Sequence, residues 1–171
     1  ANRIDQITTR HPTYEDLDYY CQHSANPVGH LVLYICGYRD RKRQRLSDHT
    51  CTALQLANFC QDVRRDFDLG RIYIPVEDME RFGYSEDDLA LGLVNDQFRN
   101  LMDFQVARAR KLFHIGLELV DTLKGRIKLD VALFSLGGLK VLDAIENQDY
   151  DVLSRRPTVS KTTKIGLMLH T

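Results

Sequence analysis

Apolar residues recur at intervals of three and four positions along most of this chain, which is the pattern of amphipathic helices. The longest such segment, DQFRNLMDFQVARARKLFHIGLELVDTL, follows Asn95, and a second covers about 127–147. Shorter helical patterns cover about 76–82 and 85–91. The segment RIYIP is the only extended pattern, and it is too short to form a sheet. The sequence therefore predicts an all-α protein, built as one antiparallel helical bundle.

Capping residues set the expected ends of the first two helices. Thr13, with Asp16 three residues later, forms a capping pattern for a helix that runs to about Ser24. Pro27 suits the first turn of a second helix, PVGHLVLYICGY, because the amide hydrogen that proline lacks has no partner there in any case.

The expected third helix runs from Ser47, as its N-cap, to Gly70, which supplies the left-handed residue that ends it. The basic run at 41–45 is then expected to be a solvated loop before this helix, with a phosphate or lipid-headgroup contact as the less favoured interpretation. A last helix is expected to begin near Ser160, after Pro157.

Composition and charge narrow the class of protein. The chain has 171 residues, of which 43% are hydrophobic and 27% are charged, as expected of one globular domain. Its net charge of −1 provides no global field for binding nucleic acid. No segment is apolar enough to span a bilayer and no signal peptide is recognisable, so a soluble cytoplasmic protein is expected. The histidines lack the spacing of a zinc site. No Cys-x-x-Cys pair occurs, and buried free thiols are expected at positions 21, 36, 51 and 60.

The predicted third helix has three faces instead of two when it is plotted at about 100° per residue. The apolar face consists of Leu56, Phe59, Cys60, Val63 and Phe67. The face expected to meet solvent consists of Gln61, Arg64, Arg65 and Asp68. The third face, called the oxygen stripe below, consists of Gln55, Asn58, Asp62 and Asp66. The stripe borders the apolar face, which is unusual for a simple amphipathic helix.

Successive side chains of the oxygen stripe are expected about 5–6 Å apart along the helix. In proteins, Mg²⁺ typically takes one or two carboxylates together with phosphate oxygens of a substrate. Asp62 and Asp66, preceded by the amide of Asn58, therefore suit a magnesium–diphosphate cluster. The same pattern allows a plainer interpretation, in which the aspartates only form ion pairs with Arg64, Arg65 or a neighbouring helix.

Three segments together resemble the squalene/phytoene synthase family of isoprenoid enzymes. They are YCQHSANPVG at 20–29, LQLANFCQDVRRDFDLGRIYIP at 54–75, and LFSLGGLKVLDAIENQDYDVL with RRPTVSK near the end of the chain. Within the family, the segment at 24–29 is most similar to the bacterial hydroxysqualene synthases of hopanoid biosynthesis. The resemblance covers the whole chain and implies a helical bundle of the isoprenoid synthase type.

The resemblance implies roles for seven residues. Asp62 and Asp66 match an aspartate-rich motif that binds Mg²⁺ and diphosphate, and Asn58 matches an asparagine that shares a metal ion. Tyr20 matches a tyrosine that acts near the carbocation or in proton transfer, with a purely structural core tyrosine as the alternative. The matches to substrate-contacting positions are Gln55, which lines the cavity, and Arg71 and Tyr73, which contact diphosphate or else form a surface pair.

Two differences from the family favour the hydroxysqualene branch. Gln61 stands where condensing relatives usually carry arginine, and Ser-Ala-Asn-Pro replaces a segment of the Val-Ala-Gly-Leu type. A third difference concerns extent, because no earlier aspartate-rich motif precedes Tyr20. Residues 1–171 are therefore expected to be the C-terminal portion of a single isoprenoid synthase domain, incomplete at the N-terminus, which binds diphosphate weakly in isolation.

The reaction that the resemblance implies is the Mg²⁺-dependent conversion of presqualene diphosphate to hydroxysqualene, with release of diphosphate. The alternative within enzymes is head-to-head condensation of prenyl diphosphates to presqualene diphosphate, squalene or phytoene. The alternative of another class is a non-catalytic helical binding module or an inactive fragment. The expected partners are a prenyl diphosphate, other enzymes of the isoprenoid pathway and a peripheral contact with a membrane, although no amphipathic anchor is evident; nucleic acid is not expected.

Overall fold

The computed structural model describes residues 7–159. Within them the chain forms eight helices, and its only β structure is an isolated bridge between Arg10 and Ile72. The helices are α1 (Tyr14–Ser24), α2 (Asn26–Ile35), α3 (Arg41–Gln61), α4 (Val63–Asp68), α5 (Val76–Arg81), α6 (Glu86–Ala90), α7 (Asp96–Thr122) and α8 (Arg126–Asn147). The all-α prediction is confirmed. The helix expected near Ser160 lies outside the described residues.

Local capping determines several helix ends as the sequence predicts. At α1, the Thr13 hydroxyl accepts from the amide of Asp16 at 3.2 Å, and the Asp16 carboxylate accepts from the amide of Thr13 at 3.0 Å. At α7, the side chain of Asn95 accepts from the amide of Phe98 at 2.9 Å. Pro27 lies in the first turn of α2. Each of these contacts satisfies or avoids an amide that has no partner inside the helix.

The beginning of α3 differs from the prediction. The helix begins at Arg41 rather than Ser47, because the side chain of Asp40 caps it by accepting from the amide of Arg43 at 3.0 Å. The guanidinium of Arg43 also donates to the carbonyl of Thr122 at the end of α7, at 3.0 Å. The basic run is therefore helical, and the prediction of a loop there was wrong. Ser47 is buried within the helix.

The predicted third helix is also interrupted near its end. Asp62, with φ −106° and ψ 15°, separates α3 from α4, and Gly70 follows α4 with a φ of 79°. Backbone hydrogen bonds continue across the break, from the amide of Asp62 to Asn58 at 2.9 Å and from the amide of Asp66 to Asp62 at 2.8 Å. The helical course therefore continues across the break, and the residues of the oxygen stripe remain on one face.

Helix α3 is the centre of the bundle and packs against α2, α7 and α8. Its crossing with α7 is close, because a Cβ on Gly116 would lie 2.9 Å from the backbone nitrogen of Thr50. The main core lies between these helices and includes Leu56, Phe98, Leu101, Met102, Phe113 and Leu142. A smaller apolar cluster lies near the start of α3 and consists of Leu33, Leu119 and Leu123.

All four cysteines are free thiols, but they are not all buried. Cys21 and Cys60 are buried, and burial raises the pKa of each thiol to about 12. Cys51 is half-buried and Cys36 is exposed, so the prediction of a buried thiol was wrong at Cys36. In the described part of the chain, no helix combines the length and the apolar character needed to cross a bilayer.

Candidate active site

The oxygen stripe occupies one face of α3 and continues into α4. Asn58 is exposed, whereas Gln55, Asp62 and Asp66 are half-buried. Because the backbone hydrogen bonds run through Asp62, the two carboxylates remain one helical turn apart. The structure therefore brings together the four stripe residues that the sequence predicts.

A basic residue from the far end of the chain is bound to the first of these aspartates. Nη2 of Arg156 donates to Oδ2 of Asp62 at 3.0 Å and to Oε1 of Gln61 at 2.9 Å. Nε2 of Gln61 in turn donates to the carbonyl of Pro157 at 2.6 Å. Gln61 is buried, so its predicted position on a solvent-exposed face was wrong.

Arg156 is a site residue that the reading of the sequence missed. It lies 94 positions after Asp62 in the sequence. The side chain of Asp62 in this ion pair is 16% exposed. The available signal was the RRPTVSK motif, which supported the family resemblance without receiving a role of its own. The positive charge that Gln61 does not provide next to Asp62 is thus supplied by Arg156 from another segment.

Asp66 lies in a less polar environment than its sequence context suggests. Burial raises the pKa of its carboxyl to about 6, and the nearby charge of Asp62 adds to the increase. The charges of Arg65 and Arg71 oppose the shift without cancelling it. A partly buried carboxylate is unfavourable in its charged form, and a bound cation stabilises that form strongly. Asp66 is therefore suited to a metal–diphosphate ligand.

An aromatic cluster lies beside Asp66, where Phe59, Arg71 and Tyr73 line a small pocket together with this aspartate. The ring of Tyr73 stacks on Phe59 with centroids 3.9 Å apart, and Nη1 of Arg71 donates to the Tyr73 hydroxyl at 3.1 Å. Tyr20 lies 5.9 Å from the ring of Tyr73 and is buried. The sequence reading did not single out His11, which is also buried and lies 5.5 Å from the ring of Tyr20.

An apolar groove of about 240 Å³ lies along α3 on the N-terminal side of the oxygen stripe, and none of the four stripe residues lines it. On α3 it is lined by Ser47, Cys51 and Leu54, which lie on the same helical face as Asn58, one turn further along. Thr50 of α3 also lines it, and the remaining lining residues come from α2, α7 and α8: Val28, Gly29, Val32, Leu33, Leu119, Ile127, Val131 and Phe134. One face of α3 therefore carries the apolar groove and, from one turn beyond it, the side chain of Asn58 and the two carboxylates.

The carboxylates fit Mg²⁺ only in combination with a ligand that supplies further oxygens. Among residues 7–159, no group of three or more histidine, cysteine, aspartate or glutamate side chains is arranged to hold a metal ion. Asp62 and Asp66 nevertheless offer hard oxygen donors in the number that Mg²⁺ uses when phosphate oxygens complete its shell. The donor set thus suits a metal–diphosphate ligand better than a resident metal ion.

The pKa of Asp66 gives a direct test of this environment. In metal-free protein the Asp66 carboxyl is expected to titrate near pH 6, and Asp62→Asn should lower that pKa because a neighbouring negative charge is removed. Carboxyl ¹³C chemical shifts measured by NMR across pH 3–9 would report both values. Asp68→Asn is the control and should leave the pKa unchanged. An Asp66 pKa near the ordinary aspartate value in the unaltered protein would contradict the described burial.

Comparisons with known proteins agree with the resemblance. The chain matches the squalene/phytoene synthase family model over residues 1–163. It is 35% identical to a 15-cis-phytoene synthase of Synechocystis sp., over 96% of this chain and 52% of that protein. It is 32% identical to a phytoene synthase of Arthrospira platensis, over 96% of this chain and 58% of that protein. The chain thus spans little more than half the length of these relatives.

Solved structures share the fold. The crystal structure of the squalene synthase HpnC from Alicyclobacillus acidocaldarius has a TM-score of 0.85 and 46% identity, covering 87% of this chain and 57% of that one. A dehydrosqualene synthase crystallised with a ligand has a TM-score of 0.88 and 25% identity, covering 98% of this chain and 59% of that one. Sequence and fold thus agree, and the chain belongs to the squalene/phytoene synthase family.

Proposed function

We propose that the protein containing this chain converts presqualene diphosphate to hydroxysqualene and releases diphosphate, with Mg²⁺ as cofactor. The observation that carries the proposal is the apolar groove along α3, whose last α3 residue, Leu54, lies one helical turn before Asn58 of the oxygen stripe on the same helical face. A prenyl diphosphate has the same two parts, a long hydrocarbon and a dianionic to trianionic head. Residues 1–171 are proposed to form the C-terminal portion of a single isoprenoid synthase domain.

The stripe and its neighbours would bind the head of the substrate. Asn58, Asp62 and Asp66 would hold the metal–diphosphate unit, and Mg²⁺ bound there would supply positive charge to offset the negative charge on a departing diphosphate. Arg71, linked to Tyr73 by a hydrogen bond, approaches Asp66 through its backbone amide, which donates to the Asp66 carbonyl at 2.9 Å. This proximity to Asp66 supports the proposal that Arg71 and Tyr73 contact diphosphate oxygens.

The groove and the aromatic cluster would protect the reacting hydrocarbon from water. The groove walls are almost entirely apolar, and buried Tyr20 lies beside the stacked rings of Tyr73 and Phe59. A carbocation reacts with any water molecule that reaches it, so a cavity wall that excludes water favours rearrangement before capture by water. Tyr20 is assigned to stabilise the cation or transfer a proton, and Gln55 to line the cavity between the groove and Asn58.

Head-to-head condensation of two prenyl diphosphates is the second candidate. It is favoured by the relatives themselves, which include two phytoene synthases and a squalene synthase. Condensation needs the same metal–diphosphate contacts and the same dry groove. The two candidates differ in the substrate that is turned over.

The product distinguishes these candidates. Full-length protein is supplied separately with presqualene diphosphate and with farnesyl diphosphate, each with and without Mg²⁺, and the products are identified by mass spectrometry. Hydroxysqualene from presqualene diphosphate, formed only with Mg²⁺, is the expected result. Turnover of farnesyl diphosphate alone would assign the protein to the condensing enzymes. No turnover of either substrate would support the non-catalytic binding module.

We also propose where in the cell the protein works and what it contacts there. A substrate and product with long hydrocarbon chains favour a cytoplasmic enzyme in peripheral contact with a membrane and near other enzymes of the isoprenoid pathway. The expected experimental sign is enzyme activity that increases when lipid vesicles are added.

A further inference from the structure

Four helix ends meet at one end of the bundle: the end of α2, the start of α3, the end of α7 and the start of α8. The Tyr38 hydroxyl accepts from the amide of Lys124 at 3.0 Å, which holds the α2–α3 loop against the α7–α8 loop. The bond from Arg43 to the carbonyl of Thr122 joins α3 to α7 at the same place. We call this region, residues 36–43 and 121–130, the basic end.

The basic end carries a charge opposite to that of the chain as a whole. It contains seven basic and three acidic residues, a net charge of +4, whereas the whole chain has a net charge of −1. Its exposed basic side chains include Arg39, Arg41, Lys42, Lys124 and Arg126. The ion pairs from Arg126 to Asp130 at 3.9 Å and from Lys128 to Asp121 at 4.0 Å are long, so they neutralise little of this charge.

Large apolar side chains are exposed next to these charges. On the outer face of α2, Ile35 is 78% exposed, and Leu31 and Tyr34 are also exposed. The guanidinium of Arg39 lies 5.6 Å from the centre of the Tyr34 ring. Exposed aliphatic residues, an aromatic ring and surrounding basic residues form the combination that binds the interface of an anionic bilayer.

The groove reaches this end of the bundle. Its lining runs from Leu54, next to the oxygen stripe, to Leu33, Leu119 and Ile127, which lie in or beside the apolar cluster near the start of α3. The fifteen residues from Ser47 to Asp62 correspond to about 22 Å of helix. On α3 the groove extends from Ser47 to Leu54, so it lies between the basic end and Asp62, which is about two helical turns beyond Leu54.

We propose that the basic end docks on the surface of a bilayer that contains anionic lipids. Ile35, Leu31 and Tyr34 enter the interface, while Arg39, Arg41 and Lys42 contact the lipid phosphates. Under the proposed function, this orientation places the apolar groove nearer the membrane and the oxygen stripe farther from it, towards water. Docking itself does not depend on that function, because it needs only the surface.

The test is sedimentation of full-length protein with phosphatidylcholine vesicles, with or without 30 mol% phosphatidylglycerol, in the absence of substrate. Binding is expected only to the anionic vesicles and should decrease as salt is raised. Arg41→Glu/Lys42→Glu should weaken partitioning at least about twenty-five-fold, and Ile35→Ser about tenfold. The matched controls are Lys111→Glu and Leu91→Ser, on exposed side chains away from the basic end, and both should bind as the unaltered protein does.

Each outcome is informative. Equal binding by the Ile35→Ser and Leu91→Ser variants, or equal binding to neutral and anionic vesicles, would overturn the proposal. Loss of thermal stability in the Ile35→Ser variant with unchanged partitioning would also overturn it, because another part of the polypeptide would then cover Ile35. Activity measured in detergent separates this result from the proposed function: variants of the basic end should keep their turnover there even when vesicle binding is lost.

Discussion

Asp66→Asn is expected to lower turnover of the full-length protein at least about a hundredfold, by removing a charge that the transition state needs. Asparagine has nearly the same shape as aspartate and fits the same half-buried position beside Arg71. It lacks the negative charge that would hold the metal–diphosphate unit while the bond to diphosphate breaks. The measurement is kcat as a function of Mg²⁺ concentration, with the product identified by mass spectrometry.

The pKa of Asp66 also predicts how the substitution affects stability, so a loss of turnover can be distinguished from unfolding. The folded-state pKa of about 6 lies above that of an ordinary aspartate, so the native state disfavours the charged carboxylate at pH 7. Removing the charge should therefore leave the midpoint of thermal unfolding unchanged or raise it. Asp68→Asn is the matched control, because Asp68 is exposed and only pairs with Arg64 one turn earlier. Full turnover by the Asp66→Asn variant would exclude the proposed site.

The largest expected effect on stability comes from substitution of Asp78, which lies in α5 and is not a residue of the proposed site. Asp78→Ala should lower the free energy of unfolding by about 3–5 kcal/mol, because it leaves Arg108 with a buried, unpaired charge. The two side chains are 5% and 17% exposed and are joined by a bond of 2.6 Å. Gln105 also donates to Asp78 at 2.9 Å, and the Arg108 guanidinium lies 4.1 Å from the centre of the Tyr14 ring.

Urea denaturation of the full-length variants would measure this loss. Asp68→Ala again provides the control, since its partner Arg64 is solvated, and the expected change is about 0–1 kcal/mol. Asp78→Leu combined with Arg108→Met should recover much of the stability, because neither charge is then buried. An Asp78→Ala variant as stable as the Asp68→Ala variant would show that water reaches Arg108 freely.

Much of the helical framework could be predicted because its signals are local. The capping contacts of Thr13 with Asp16 and of Asn95 with Phe98 each span three residues, and the apolar periodicity of α7 and α8 is continuous. The oxygen stripe was predictable for the same reason: residues three and four positions apart share a helical face whichever helices lie nearby. Sequence similarity added the roles that periodicity alone left open.

Competing local signals explain the errors near α3. Ser47 and Asp40 are both good N-cap residues, and the sequence does not rank them. The choice is made by Arg43, which binds Thr122, 79 positions away, and so holds the basic run in the helix. Burial of Ser47 in the bundle follows from that longer helix.

The sequence by itself determined most of the helices, the face that carries the two aspartates and the family, but not the beginning of α3 or its interruption at Asp62. Tertiary structure alone decided that Arg156 is bound to Asp62 and that an apolar groove lies along α3 as far as Leu54, one turn before Asn58. The physical reason is the difference in sequence separation between the residues that determine each feature. Caps and helical faces depend on contacts within one or two turns, whereas an ion pair across 94 positions and the pKa of Asp66 depend on how separate segments exclude water when they pack together.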